Sequence, residues 1–234
     1  MNIEKLSKRL ETVCTYIPSG SRIADIGSDH AYLPCYAVKN GIASFAIAGE
    51  VVEGPYQSAL QQVKNSGLGD AVSVRKGDGL EVIQKGEVDC ITIAGMGGAL
   101  ISSILNKGME KLSENERLVL QPNIAANFIR EWCIEQGWQI IAEEIIEEDQ
   151  KIYEILVLEK LKDKKPYFLT EAELLMGPIL IKENNSVFQA KWHQELQQWK
   201  RILKSLEQAA ETAETTEKKK QLQKNITMVE EVIS

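Results

Sequence analysis

The stretch "RIADIGSDHAYLP", residues 22–34, decides the fold. Ile23, Ala24 and Ile26 make a short apolar run that stops at Gly27, and a helix-forming run follows from about His30. A buried strand turning into a helix at a glycine is the opening unit of nucleotide-binding α/β folds. Members that bind phosphate keep several glycines there and no negative charge, because backbone N–H groups must reach an anion. Here Gly27 is the one glycine, and it is surrounded by Asp25, Ser28, Asp29 and His30. The loop is built for something other than a pyrophosphate.

Further along the chain, strands and helices alternate. "SFAIAGEV" (44–51) reads as a second strand ending in Glu50 and Val51, and "GPYQSALQQVKNSG" (54–67) as a helix with Pro55 in its first turn and Gly67 as its stop. "AVSVRKGDG" (71–79) is a third strand followed by Asp78 and Gly79. "VDCITIAGMGG" (88–98) is a fourth, ending in Ala94, Gly95, Met96 and Gly97, with a helix from about Ala99 to Asn106. "RLVLQPN" (117–123) is a fifth, and "AANFIREWCIEQG" (125–137) the next helix. These strands are continuous apolar runs, as expected of a parallel sheet covered on both faces. "WQIIAEEIIEED" and "KIYEILVLEK" (138–160) differ. No crossover helix fits between them, so they must be antiparallel. An N-terminal amphipathic helix is expected over residues 3–17, with Ile3, Leu6, Leu10, Val13 and Ile17 on one face.

A boundary is expected near "KLKDKKPY", giving a Rossmann-like α/β domain over 1–160 and a helical domain over 161–234. In the second, Thr170 and Glu173 form a capping box after Leu169. The run Phe188, Trp192, Leu196, Trp199, Leu203, Leu206, Ala210, Ala213 and the later run Leu222, Ile226, Val229, Ile233, separated by "AETTEKKKQ" (213–221), predict two helices folded as an antiparallel coiled-coil hairpin.

Composition excludes several classes. No apolar run approaches the roughly 18 residues of a membrane span, and the mixed charge of "MNIEKLSKRLETV" is unlike a signal peptide. A cytoplasmic location is expected, with Cys14, Cys35, Cys90 and Cys133 as reduced core thiols. Two histidines and four scattered cysteines match no zinc spacing, so no metal is expected. The net charge of −7 is unfavourable for RNA. It is unevenly spread, however. Residues 1–160 hold 15 basic against 23 acidic residues, net −8, whereas 161–234 hold 12 against 11, net +1. The basic clusters Lys162, Lys164, Lys165 and Lys218, Lys219, Lys220, Lys224 are either solvated helix faces or a polyanion contact.

In a doubly wound sheet the carboxyl ends of neighbouring strands meet in one crevice. Asp25, Glu50 and Asp78 end or follow successive strands, so three acids converge there. A carboxylate at the second strand suits a ribose diol, and one after the third can accept from an adenine amine. Acids at the first loop suit an ammonium and a sulfonium. Together they describe S-adenosyl-L-methionine, held by Asp25, Gly27, Ser28, His30, Glu50, Val51, Asp78, Gly79 and the Ala94–Gly97 turn, whose glycines let backbone approach a flat ligand. Gln121 and Asn123 offer amides at the crevice rim, as substrate contacts with Tyr32. The structural alternative is that Asp29 merely caps the following helix.

The motifs "ADIGSDHAYLP", "GEVVEGPYQSA", "GDGL" and "IAGMGG", with "LQPN" and the helical tail, resemble the bacterial tRNA (adenine-22-N1)-methyltransferase family over nearly the whole chain. The resemblance implies a class I methyltransferase domain plus a coiled-coil domain, and methylation of N1 of an adenine in tRNA. N1 has a lone pair, so no base is needed to unmask it. Positive charge moves from sulfur to the base, and a carboxylate beside the base would stabilise it. Asp29 is the candidate for that role, and the lysines at 218–220 and 224 for a hold on tRNA phosphates. Two other readings stay open: a methyltransferase of small molecules or proteins whose coiled coil dimerises, and a non-enzymatic adaptor. The oligomeric state stays open between monomer and weak dimer.

Overall fold

The computed structural model describes residues 3–161, 167–208 and 210–234. The chain divides into two compact units, Met1–Phe168 and Leu169–Ser234. Lys162, Lys164 and Lys165 lie outside the described residues.

The first unit carries a seven-stranded sheet: β1 (Ser21–Ile26), β2 (Ala43–Glu50), β3 (Val72–Lys76), β4 (Cys90–Gly97), β5 (Arg117–Ile124), β6 (Trp138–Glu148) and β7 (Lys151–Lys160). Its order is β3-β2-β1-β4-β5-β7-β6. β1 to β5 pair in parallel, and β7 enters antiparallel between β5 and β6. The order reverses at β1/β4, which places a crevice outside the carboxyl ends of these two strands. The parallel strands are apolar on both faces because helices α1 (Lys8–Thr15), α2 (Tyr32–Lys39), α3 (Glu53–Asn65), α4 (Gly98–Lys107) and α5 (Asn127–Glu135) cover them. Ile23, Ala46, Cys90, Val119 and Val157 sit fully buried in that core, and all four cysteines are free and buried.

The N-terminal helix is shorter than the expected 3–17. Ser7 caps it, its side chain accepting from the Leu10 N–H, so the helix starts at Lys8. Leu6 and Ile17 remain buried from outside it.

One buried charge network ties the terminal hairpin to α5. The Arg130 guanidinium donates to Glu143 on β6 at 2.8 Å and to Glu154 on β7 at 2.6 Å, and all three side chains are out of reach of solvent.

The second unit is helical: α6 (Glu171–Met176), α7 (Pro178–Glu183), α8 (Ser186–Glu207) and α9 (Ala213–Ile233). The first long helix therefore ends before Ala210 and Ala213, and the stretch 213–221 expected as the link is helical instead, because Thr212 caps α9 by accepting from the Thr215 N–H. The Thr170 capping box forms, with reciprocal bonds to Glu173. The apolar stripe expected to make a coiled-coil seam is buried at Phe188, Trp192, Leu196, Ile226 and Val229, while Leu203, Leu206 and Leu222 are half-buried and Ile202 is exposed. No described helix is long and apolar enough to cross a membrane.

Candidate active site

Asp25 leaves β1 pointing into the switch-point crevice. It is 4% exposed. Its two oxygens accept from Ser28 Oγ and Thr92 Oγ1, each at 2.6 Å. Thr92 lies opposite Asp25 in the β1/β4 register, which is why a β4 hydroxyl reaches it. Burial pushes the Asp25 carboxyl above its ordinary range, opposed by these two bonds and by the charge of Arg9.

After Gly27 the backbone takes an unusual course. Asp29, His30 and Ala31 all have positive φ, at 43°, 68° and 55°. Non-glycine residues rarely adopt this region, and three in a row need support. The support is Glu50, whose buried carboxylate accepts the Asp29 N–H. Burial raises the Glu50 carboxyl as well, that hydrogen bond opposing it and the charges of Asp25 and Asp29 adding to it.

The left-handed run also settles the capping alternative. The N-cap of α2 is Ala31, with no side-chain cap bond, so Asp29 does not cap the helix. Its side chain is 76% exposed, with Oδ1 at 3.4 Å from His30 Nε2. The His30 and Tyr32 rings stand 5.5 Å apart.

A cavity of about 300 Å³ lies between β1, β4 and α1. Asp25, Gly27, Ser28, Asp29, Ala94, Gly95, Met96 and Asn123 line it, all drawn from the sequence motifs, together with Arg9, Tyr153 and the apolar Leu10 and Leu33. Gly27 (φ 70°) is tight: a Cβ there would overlap the Met96 methyl.

Other motif residues lie elsewhere. Glu50 supports the cavity through the Asp29 backbone, and Val51 is exposed just beyond it. Asp78 and Gly79 line a second, smaller cavity of about 90 Å³ beside α4, and Asp78 stands 3.5 Å from Lys107. Asp78 lines this second cavity and not the first. Gln121 is a clear correction. Expected at the rim as a substrate contact, it is fully buried. Its Oε1 accepts from the Gly95 N–H at 3.0 Å and from the Arg9 guanidinium, and its Nε2 donates to the Pro122 carbonyl. It braces the β4–α4 turn, because the side chain at this point of β5 points inward to the neighbouring strand. Asn123 donates to the Gly95 carbonyl at 2.7 Å and is the β5 residue that reaches the cavity.

Arg9 and Tyr153 escaped sequence reading. Arg9 looks like one more surface charge on an amphipathic helix, and no motif marks Tyr153. Folding carries both to the cavity, where the Arg9 guanidinium sits 5.5 Å from the Tyr153 ring centre. Desolvation lowers the Arg9 pKa, with Tyr153, Glu148 and Asp25 opposing. An arginine remains charged in any such setting. The cavity therefore presents two carboxylates and one guanidinium. Among the described residues no cluster of His, Cys, Asp and Glu could hold a metal ion.

Comparison with known proteins decides among the readings of this site. The family model described as "tRNA (adenine(22)-N(1))-methyltransferase" matches residues 23–231. The chain belongs to the tRNA (adenine(22)-N(1))-methyltransferase family. The Bacillus subtilis (strain 168) protein of that description is 55% identical over 235 residues, covering 100% of this chain and 99% of the relative. The crystal structure of the B. subtilis m1A22 tRNA methyltransferase superposes with a TM-score of 0.93 at 54% identity, covering 98% of this chain and 99% of that one. A Streptococcus pneumoniae family structure, Sp1610 in complex with S-adenosyl-L-methionine, gives a TM-score of 0.88 at 42% identity, covering 98% and 100%. Membership also accounts for the sheet with its antiparallel end and for the helical tail, since both family structures match 98% of this chain.

Proposed function

We propose that this protein transfers a methyl group from S-adenosyl-L-methionine to N1 of the adenine at position 22 of tRNA, in the cytoplasm. The observation that carries the reading is the charge pattern of the cavity, Asp25 and Asp29 with Arg9, in a chain that belongs to this family. The donor set fits the cofactor: the Asp25 carboxylate suits its ammonium, Glu50 at the end of β2 suits its ribose diol, Arg9 suits its carboxylate, and Gly27 and Gly95 hold a positive φ that side-chain-bearing residues rarely adopt.

The bound cofactor supplies a methyl group on a sulfonium, and the N1 lone pair takes it as sulfur keeps the bonding pair. The rest is positioning and electrostatics by the chain. Glu50 holds the Asp29 backbone, and the left-handed turn projects the Asp29 carboxylate into the open part of the crevice. There it accepts from the adenine N6 amine and stabilises the positive charge that the base acquires. Asn123, fixed by Gly95, orients the base edge. His30 and Tyr32 steady the turn. The Watson–Crick edge must be exposed for this, so the target is drawn out of its stack.

Incubating the protein with S-adenosyl-L-methionine and bulk tRNA, then analysing nucleosides by mass spectrometry, tests the reading. 1-Methyladenosine is expected with wild type, and Asp29→Asn should form it about 100-fold more slowly in single turnover at unchanged cofactor affinity. A methylated product other than 1-methyladenosine would contradict the proposal, and an Asp29→Asn variant at full rate would remove Asp29 from the chemistry.

A further inference from the structure

The described chain leaves seven large apolar side chains exposed, and five of them stand at the carboxyl ends of the sheet: Val51, Val52, Leu100, Ile124 and Phe128. Val51 and Val52 follow β2, the side assigned to the ribose. The other three follow β4 and β5, on the far side of the cavity. Leu100 is 54% exposed, Ile124 72% and Phe128 45%.

These three belong to one junction. Ile124 ends β5 and pairs with Gly97 across the β4/β5 ladder. A Cβ at Gly98 would overlap the Ala125 carbonyl, so the first turn of α4, which carries Leu100, is backed directly onto the turn that carries Ile124. Ala125 is left-handed at φ 58°, and its carbonyl accepts the Phe128 N–H, opening α5. The rim is continuous with the cavity, because Asn123 lines the cavity and immediately precedes Ile124.

The segments that build the rim are also without formal charge. Residues 90–106 and 118–129 contain no Asp, Glu, Lys or Arg, in a chain that is 26% charged. A surface that grips phosphates needs cations. One without charge but with exposed side chains suits the face of a nucleobase, which is flat, apolar and uncharged.

We propose that Leu100, Ile124 and Phe128 form a platform for the base next to the target adenine. This rests on the proposed methylation of tRNA. Drawing an adenine out of its stack bares one face of each neighbour, and apolar side chains beside the cavity mouth replace the lost stacking partner. Ile124, the most exposed, makes the central contact. Holding the neighbour this way stabilises the opened RNA, so the platform acts on substrate binding and leaves the cofactor untouched.

Ile124→Ser tests the platform in the full-length protein. Its melting temperature should match wild type, since the side chain is solvent-exposed, and cofactor affinity should be unchanged. KM for tRNA should rise about tenfold, within the range for loss of one base-stacking contact, with the salt dependence of binding unaltered and Ile124→Leu close to wild type. The same reaction is then run on tRNA with an abasic site on one side of the target or the other. If the platform holds that base, Ile124→Ser adds no further loss on one of the two abasic substrates. Losses that add in full on both overturn the inference while leaving methylation intact. A shift in oligomeric state in place of the KM change would also overturn it, assigning the patch to a second copy of the chain. Wild type that transfers no methyl to tRNA would overturn the functional reading itself, and the platform with it.

Discussion

Asp25 carries more of the site than any other single residue. It is buried, accepts two hydroxyl hydrogen bonds and faces the cavity, and burial holds its carboxyl above the ordinary range. An acid whose pKa is raised by folding binds its proton more tightly in the native state, so its ionisation works against stability. That penalty is absent below the unfolded value near 3.8 and grows as pH rises toward the raised folded value. Asp25→Asn should therefore melt higher than wild type at neutral pH, and the gap should close as pH falls toward 4. The same change should weaken S-adenosyl-L-methionine, because it removes the negative charge that matches a cationic ligand. Melting curves across this range, with and without cofactor, check both parts. A variant that melts lower than wild type at pH 7 would show that the two hydroxyl bonds, and not burial, dominate at this site.

Among the elements, the terminal hairpin has the sharpest energetic test. Arg130 pairs with both Glu143 and Glu154 where solvent cannot reach. Removing one partner of a buried ion network leaves uncompensated charge, a loss of about 3–5 kcal/mol, whereas replacing all members with apolar residues can be nearly neutral. Arg130→Met should be strongly destabilised in chemical denaturation, and the triple variant Arg130→Met, Glu143→Leu, Glu154→Leu should recover most of the loss. Equal destabilisation in both would show that the network is worth more than its desolvation. Elements of this kind were largely legible in the sequence. Apolar runs marked the parallel strands, the short link near Asp149 required an antiparallel pair, and Thr170 with Glu173 announced a helix start. The first helix was overextended because Ile3 and Leu6 fit its periodicity, though Ser7 begins the helix after them. The site was legible where strand ends define it, at Asp25, Gly27 and Gly95. It was not legible where it depends on tertiary closure. Arg9 and Tyr153 arrive from elements whose pattern carries no chemical mark. Gln121 was misplaced because a rim residue and a buried brace differ only in which way one strand position faces.

Across the whole molecule, an acidic catalytic unit has to meet a polyanionic substrate. We propose that the tail lysines offset this repulsion by contacting phosphates. Lys218 pairs with Glu214 at 3.0 Å and Lys224 with Glu171 at 2.6 Å, both on the surface. Such pairs are worth about 0–1 kcal/mol, so phosphates can displace them. Changing Lys218, Lys219, Lys220 and Lys224 to Gln should weaken tRNA binding and flatten its log–log salt dependence by about 0.7–0.9 per lost contact. Cofactor affinity should stay constant. An unchanged salt slope would mark these lysines as a solvated helix face. The central claim, that the crevice directs a methyl group to one nitrogen of one adenine, has a more direct test at the level of atoms. Two tRNAs are compared, identical except that position 22 carries adenosine in one and 1-deazaadenosine, with C–H in place of N1, in the other. The account predicts methyl incorporation into the first and none into the second, with binding of both retained. Equal incorporation into the two would contradict it, because the methyl group would then be going somewhere other than N1 of that adenine.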